Sequence, residues 1–218
     1  MSRVKEIIIK IIPKKIADNF VKKHHYSGKV VNNSNLHFGL FLDDRLHGVL
    51  QYGPSLDKSK LINLVKGTQW DEFIELNRMA LDDFLPRNSE SYCIAKTLKM
   101  IKKNAPHIKW VVSFADGVSC GDGTIYRASN FILTQIKKNT TITIDENNNK
   151  VADLTLYHQG LKTKSDKEKA GFKIANGYMF RYLYLFNKKD IKNLNCEIIP
   201  FSKIKELGAS MYKGVKNA

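Results

Sequence analysis

The chain has 218 residues, of which 43% are hydrophobic, 10% aromatic and 26% charged, the composition of an ordinary globular protein rather than a disordered or fibrous one. Its 36 Lys and Arg against 21 Asp and Glu leave a net charge of +15, which suits a polyanionic partner, nucleic acid above all, although a lysine-rich proteome would leave the same imprint. The longest weakly charged apolar run, YMFRYLYLF at 178–186, is less than half of the roughly 20 residues that cross a bilayer, and no small-residue cleavage site follows the N-terminal IIIKII, so neither a membrane span nor a secretory signal is expected.

Along the chain, IIIKIIPKK predicts a short strand, and Ile16, Ala17, Phe20 and Val21 predict a helix over 14–26 that delivers His24, His25 and Tyr26 to its C-terminal end. LHFGLFL at 36–42 and LHGVLQYG at 46–53 flank Asp43, Asp44 and Arg45, the pattern of a hairpin. FIELNRMAL at 73–81 alternates as a strand; a helix beginning at Asn88, Ser89 or Ser91 presents Ile94, Leu98 and Ile101; and WVVSFAD at 110–116 is a buried strand. Glycines 117, 121 and 123 then tighten a loop before a short helix with Tyr126, Ala128 and Asn130. FILTQI, TTITI, VADLTLY and YMFRYLYLF predict successive strands, and 160–177 a polar loop or small helix. The whole, 1–218, reads as a single α/β domain with a mixed, largely antiparallel sheet flanked by helices. Cys93, Cys120 and Cys196 are widely spaced without a CxxC pair, so neither a disulfide framework nor a Cys-rich zinc site is expected, and a reducing cytoplasm fits.

Five groups carry candidate chemistry, each beside a plainer reading. The His24-His25-Tyr26-Ser27 cluster can ligate a metal, act as a base or bind phosphate; a solvated helix end explains it equally well, and because adjacent helical residues do not share a face, only one histidine, His25, is expected to point into a site. Arg78 interrupts an apolar strand and must pair or reach a ligand unless it faces solvent; by alternation Glu75 and Asn77 share one face and Arg78 takes the other. RNSES at 87–91 can hold an anion at a helix start or serve as an ordinary cap. Asp116 ends a strand before a glycine loop, where open α/β sheets place functional groups, and Tyr126 can donate a proton, stack on a base, or simply fill the core.

Taken in order and spacing, HHYSG, FGLFL with LHGVLQYG, FIELNRMAL, PRNSESYCIAKTLK, WVVSFAD and GDGTIYRASNF resemble the phage Mom family of DNA-modification proteins over roughly residues 20–135. The resemblance implies a fold like that of the GCN5-related N-acetyltransferases and an enzyme that converts adenine in double-stranded DNA to N6-carbamoylmethyladenine, masking the DNA from restriction nucleases. It places His25, Tyr26, Arg78, Asp116 and Tyr126 in the active site, with Ser113 and Asn130 nearby. It implies an acetyl-CoA donor seated at Asn88, Ser89 and Ser91, an iron ion with His25 as a ligand, and a phage- or prophage-encoded protein in the host cytoplasm. RNSES departs from the Gly-rich pyrophosphate loop usual in acetyltransferases. Two other readings fit part of the sequence: an ordinary N-acetyltransferase acting on RNA, protein or a small amine, and a non-catalytic basic DNA-binding protein.

Overall fold

The computed structural model describes residues 3–212 and 215–216. Strand β1 (Ile8–Ile11) is followed by Pro13, whose carbonyl accepts from the amides of Ile16 and Ala17 and so opens helix α1 (Lys14–His24). Ala17 and Val21 of α1 pack on Val49 and Ala80, which fixes the helix on one face of the sheet. Strands β2 (Leu36–Leu42) and β3 (Arg45–Gly53) form the expected hairpin; Asp43 and Asp44 turn it with φ of 50° and 58°, the doubly left-handed turn that suits twisted strands. A short helix α2 (Lys58–Leu61) lies in the connection to β4 (Phe73–Leu81), where the sequence shows no clear pattern.

Helix α3 (Ser89–Asn104) buries Cys93, Ile94, Leu98 and Ile101. It is tied to the sheet by the Tyr52 hydroxyl, 2.7 Å from Thr97 Oγ1. Strand β5 (Trp110–Asp116) runs parallel to β4, and the pairing covers only Phe73 with Trp110, Ile74 with Val111 and Glu75 with Val112. Trp110 stacks on Phe73 at 4.1 Å where the strands are joined. Helix α4 (Thr124–Ala128) and strand β6 (Ile132–Lys138) follow. Strands β7 (Ile142–Ile144) and β8 (Lys150–Ala152) form a second hairpin, followed by helices α5 (Asp153–His158) and α6 (Lys164–Lys169) and strands β9 (Lys173–Ile174) and β10 (Tyr178–Leu185). Helix α7 (Ser202–Glu206) comes last among the longer elements.

The central sheet has seven strands in the order β1-β2-β3-β4-β5-β10-β6; β1 to β4 are antiparallel and β4–β5 parallel, the mixed sheet expected. A smaller sheet has the order β8-β7-β9. The chain divides into two compact units: residues 1–114, 124–134 and 182–198, and residues 115–123, 135–181 and 199–218. In the second unit, Asn139 holds the small sheet by donating to the carbonyls of Ile142 and Ala175, each at 2.8 Å.

One expected strand is corrected. VADLTLY is strand only at its start, and residues 153–158 turn as a helix. Alternation would place Leu154 and Leu156 on one strand face, but Leu156 is fully buried while Leu154 is 65% exposed, the asymmetry of a short helix lying on a core. The three cysteines are free, as read from their spacing. Among the described residues no helix is long and apolar enough to cross a membrane.

Candidate active site

The site is built on a break in the β3–β4 register. Gln51 pairs with Arg78 and Tyr52 with Leu76, so Asn77 is an extra residue on β4, a β-bulge. Simple alternation sets Arg78 opposite Glu75; the extra residue reverses the phase and puts both on the face that α1 covers. This corrects the alternation read from sequence. Gly53, opposite Glu75, permits the crowding: a Cβ there would lie 2.6 Å from the carbonyl oxygen of Asn33 and 2.9 Å from Asn77 Oδ1.

Arg78 is half-buried. Its Nε donates to the carbonyl of Lys29 at 3.0 Å and its Nη1 to the carbonyl of Asn77 at 2.7 Å. Both partners are carbonyls, so among the described residues no ion pair neutralises its charge, and further N–H groups of the fork are left for a ligand. Burial pulls the guanidinium below its ordinary value, opposed by Tyr26, Glu75 and Tyr126. Glu75 is pushed upward by burial and drawn back by hydrogen bonds from Ser55 and Asn77 and by the Arg78 cation. Ser34 Oγ donates to Asn77 Oδ1 at 3.2 Å, leaving the Asn77 amide group to face Glu75.

At the end of α1 the two histidines separate. His24 stacks on Phe20, ring centroids 4.3 Å apart, while His25 lies 4.3 Å from the Tyr26 ring and within the field of Arg78. The Ser27 amide donates to His25 Nδ1 at 3.2 Å and the Ser27 hydroxyl lies 2.8 Å from the same atom, which assigns Nδ1 as acceptor and places the ring proton on Nε2. Burial, reinforced by Arg78, lowers the imidazole to about 4. It is therefore neutral near pH 7, a hydrogen-bond donor through Nε2 rather than a cation.

Tyr126 is 7% exposed and packs its ring on Tyr182 and Phe131, at 5.1 and 5.4 Å, yet it is electrostatically linked to Arg78. Four of the five expected active-site residues, His25, Tyr26, Arg78 and Tyr126, thus gather in the first unit around one guanidinium. The fifth, Asp116, belongs to the second unit, where its Oδ1 accepts from the amides of Val118 at 2.8 Å and Ser119 at 3.0 Å. That is a loop-bracing role. Ser113 is buried and donates to Leu76 O at 3.4 Å; Asn130 is exposed with φ of 62°. Glu75 is read from sequence as facing away from Arg78, and Ser55 and Ser34 escape the sequence reading altogether, because their meeting with Glu75 and Asn77 depends on the bulge and on a distant loop, which leave no local signature.

The cofactor expectations divide. Among the described residues no three His, Cys, Asp or Glu side chains converge as a metal site, and the Arg78 charge beside His25 repels a second cation. The residues do not fit an iron ion, which corrects that expectation for His25. At the start of α3, Ser89 Oγ donates to Pro86 O and Ser91 Oγ to Asn88 O, and Asn88 takes φ of 72° without capping through its side chain. The hydroxyls expected to bind a cofactor are thus turned to backbone, the Ser89 amide donates to Pro86 O, and the β4–β5 ladder ends at Glu75 and Val112.

The fold matches solved structures of acetyltransferases. Arabidopsis thaliana NAA60 in complex with a bisubstrate analogue aligns with a TM-score of 0.52 and 8% identity, over 82% of this chain and 97% of that one. A Bacillus subtilis acetyltransferase in complex with CoA aligns with a TM-score of 0.50 and 11% identity, over 83% and 99%. The class is therefore a GCN5-related acetyltransferase-like fold. Within it the chain belongs to the Mom protein family, whose model matches residues 6–203. It is 35% identical over 200 residues to methylcarbamoylase mom of Escherichia phage Mu, an alignment covering 89% of this chain and 81% of that relative.

Proposed function

We propose that the protein is a transferase that modifies adenine in double-stranded DNA to N6-carbamoylmethyladenine and so protects phage DNA from restriction. The observation that carries this reading is a half-buried arginine without an ion pair among the described residues, ringed by two tyrosines, a neutral histidine and a carboxyl group, in a chain 35% identical to a methylcarbamoylase. The family likeness favours this over a general N-acetyltransferase, and the buried constellation favours it over a plain DNA-binding protein.

Adenine's exocyclic nitrogen is a weak nucleophile, because its lone pair is delocalised into the ring. Attack becomes feasible when a proton leaves as the new bond forms. In the proposed reaction one N6–H bond breaks and one N6–CH₂ bond forms; the proton passes to a carboxylate, and the donor's leaving group departs with its electron pair. Within the first unit Glu75 is the carboxylate suited to receive the proton, since burial raises its basicity while Arg78 works in the opposite direction and favours its ionised form. Asp116, named by the family resemblance, is the alternative acceptor. Arg78 and the Nε2 proton of His25 orient the carbamoyl oxygen and offset developing negative charge, and the Tyr126 hydroxyl adds a further donor. Tyr26, 55% exposed beside His25, stacks on the extruded base.

The first-turn backbone of α3 would hold the pyrophosphate of a coenzyme A thioester, which would supply an activated two-carbon unit there. Acyl transfer alone joins nitrogen to a carbonyl carbon, so the methylene linkage requires a donor presenting a methylene carbon with a leaving group. The test is mass analysis of nucleosides from DNA co-expressed with the protein. A deoxyadenosine carrying one carbamoylmethyl group in place of a hydrogen is expected; unmodified deoxyadenosine alone refutes the reading.

A further inference from the structure

The mouth of the Arg78 cluster carries two kinds of exposed group that the chemistry does not use. The first is cationic. The last turn of α1 holds Lys22, Lys23 and His24, and both lysines are exposed and make no ion pair among the described residues. Lys22 lies one turn beyond Asp18, which accepts from Gln51 Nε2 at 2.8 Å, and Gln51 pairs in register with Arg78. The helix therefore crosses the strands toward the cluster and ends there in basic residues.

The second is apolar. Leu56 is 82% exposed, the most exposed large apolar side chain among the described residues. Its loop is pinned on both sides of the strand end: Pro54 O accepts from Asn33 Nδ2 at 2.8 Å, and the buried Ser55 bonds to Glu75. A leucine held outward beside a buried polar site gains nothing from the fold.

We propose that this rim is the surface that meets duplex DNA, with Lys22 and Lys23 on backbone phosphates and Leu56 entering the base stack to fill the gap left by the extruded adenine. The inference rests on the adenine-modification reading given above. It follows from the chemistry of that substrate: the target nitrogen lies in a stacked base, so the base must leave the helix, and an apolar wedge offsets the stacking that is lost. Cations at the same rim supply charge complementary to the phosphates on either side of the extruded base.

Two measurements test it. Binding of a fluorescent duplex is followed over a series of salt concentrations for the wild type, for the double variant Lys22→Gln/Lys23→Gln, and for a control, Lys164→Gln/Lys169→Gln, on exposed α6. Each phosphate contact contributes about 0.9 to the slope of log K against log salt, so the rim variant should lose roughly 2 from that slope and the control none. An unchanged slope in the rim variant overturns the phosphate assignment. Leu56→Ala should modify a matched duplex about 10-fold more slowly and regain most of that rate when the target adenine is mispaired and already unstacked. Wild-type rate on both duplexes, or the same loss on both, overturns the wedge. A wild type that leaves DNA adenines unmodified refutes the underlying reading instead, whereas wild-type modification with unaffected variants refutes only the rim.

Discussion

Replacing His25 with Gln should flatten the acid side of the protein's stability profile. The imidazole is lowered from its ordinary 6.5 to about 4, first by burial and second by Arg78, so protonation favours the unfolded chain. A group depressed in this direction costs the fold nothing above pH 6.5; the penalty grows as pH falls from 6.5 to 4 and is complete below that. Its full size is at most about 3 kcal/mol, and about 2 kcal/mol has accumulated by pH 5. His37 is also lowered, by burial and by Lys14, but it is present in both proteins and cancels in the difference. Urea unfolding of wild type and variant at pH 8, 6 and 5 checks this: the gap between them should shift by about 2 kcal/mol toward the variant across the series. Parallel curves, or a His25 ring resonance that titrates near 6.5 in the NMR spectrum, would refute the assignment of a buried neutral imidazole.

Arg78→Lys should lower DNA modification by about 10²-fold or more, measured as modified adenine per cell, since an ammonium cannot hold the carbonyls of Lys29 and Asn77 while also offering a planar fork. Glu75→Gln should remain folded by circular dichroism, keep its contacts to Ser55 and Asn77, and lose about 10²–10⁴ in rate together with the acid limb of the pH–rate profile. A wild-type profile in that variant returns the base role to Asp116. Gly53→Ala should cost about 1–3 kcal/mol in urea unfolding, because the new methyl meets the Asn33 carbonyl at 2.6 Å and Ser34 Cα at 2.8 Å, backbone that cannot swing aside.

Much of the frame is local and legible in the amino-acid sequence by itself. The helix ending in HHYSG, the hairpin around Asp43 and Asp44, the strand FIELNRMAL, the Ile94-Leu98-Ile101 helix and the strand WVVSFAD follow from side-chain period and turn chemistry, which neighbouring residues set between themselves. The motifs in those elements are enough to suggest the Mom family, because each motif keeps its own residues together. Period misleads where burial rather than alternation rules: DLTLY forms α5 because only Leu156 finds a core. The site is a different matter. Glu75 and Arg78 share a face only because Asn77 is squeezed out of the ladder by pairing with β3, and Gly53, far away in sequence, makes room for it. His25 is held well below its ordinary value only because the end of α1 places the ring, part-buried, beside Arg78. Register between strands and desolvation by distant segments are properties of the assembled chain, and no window of sequence around Glu75, Arg78 or His25 contains them.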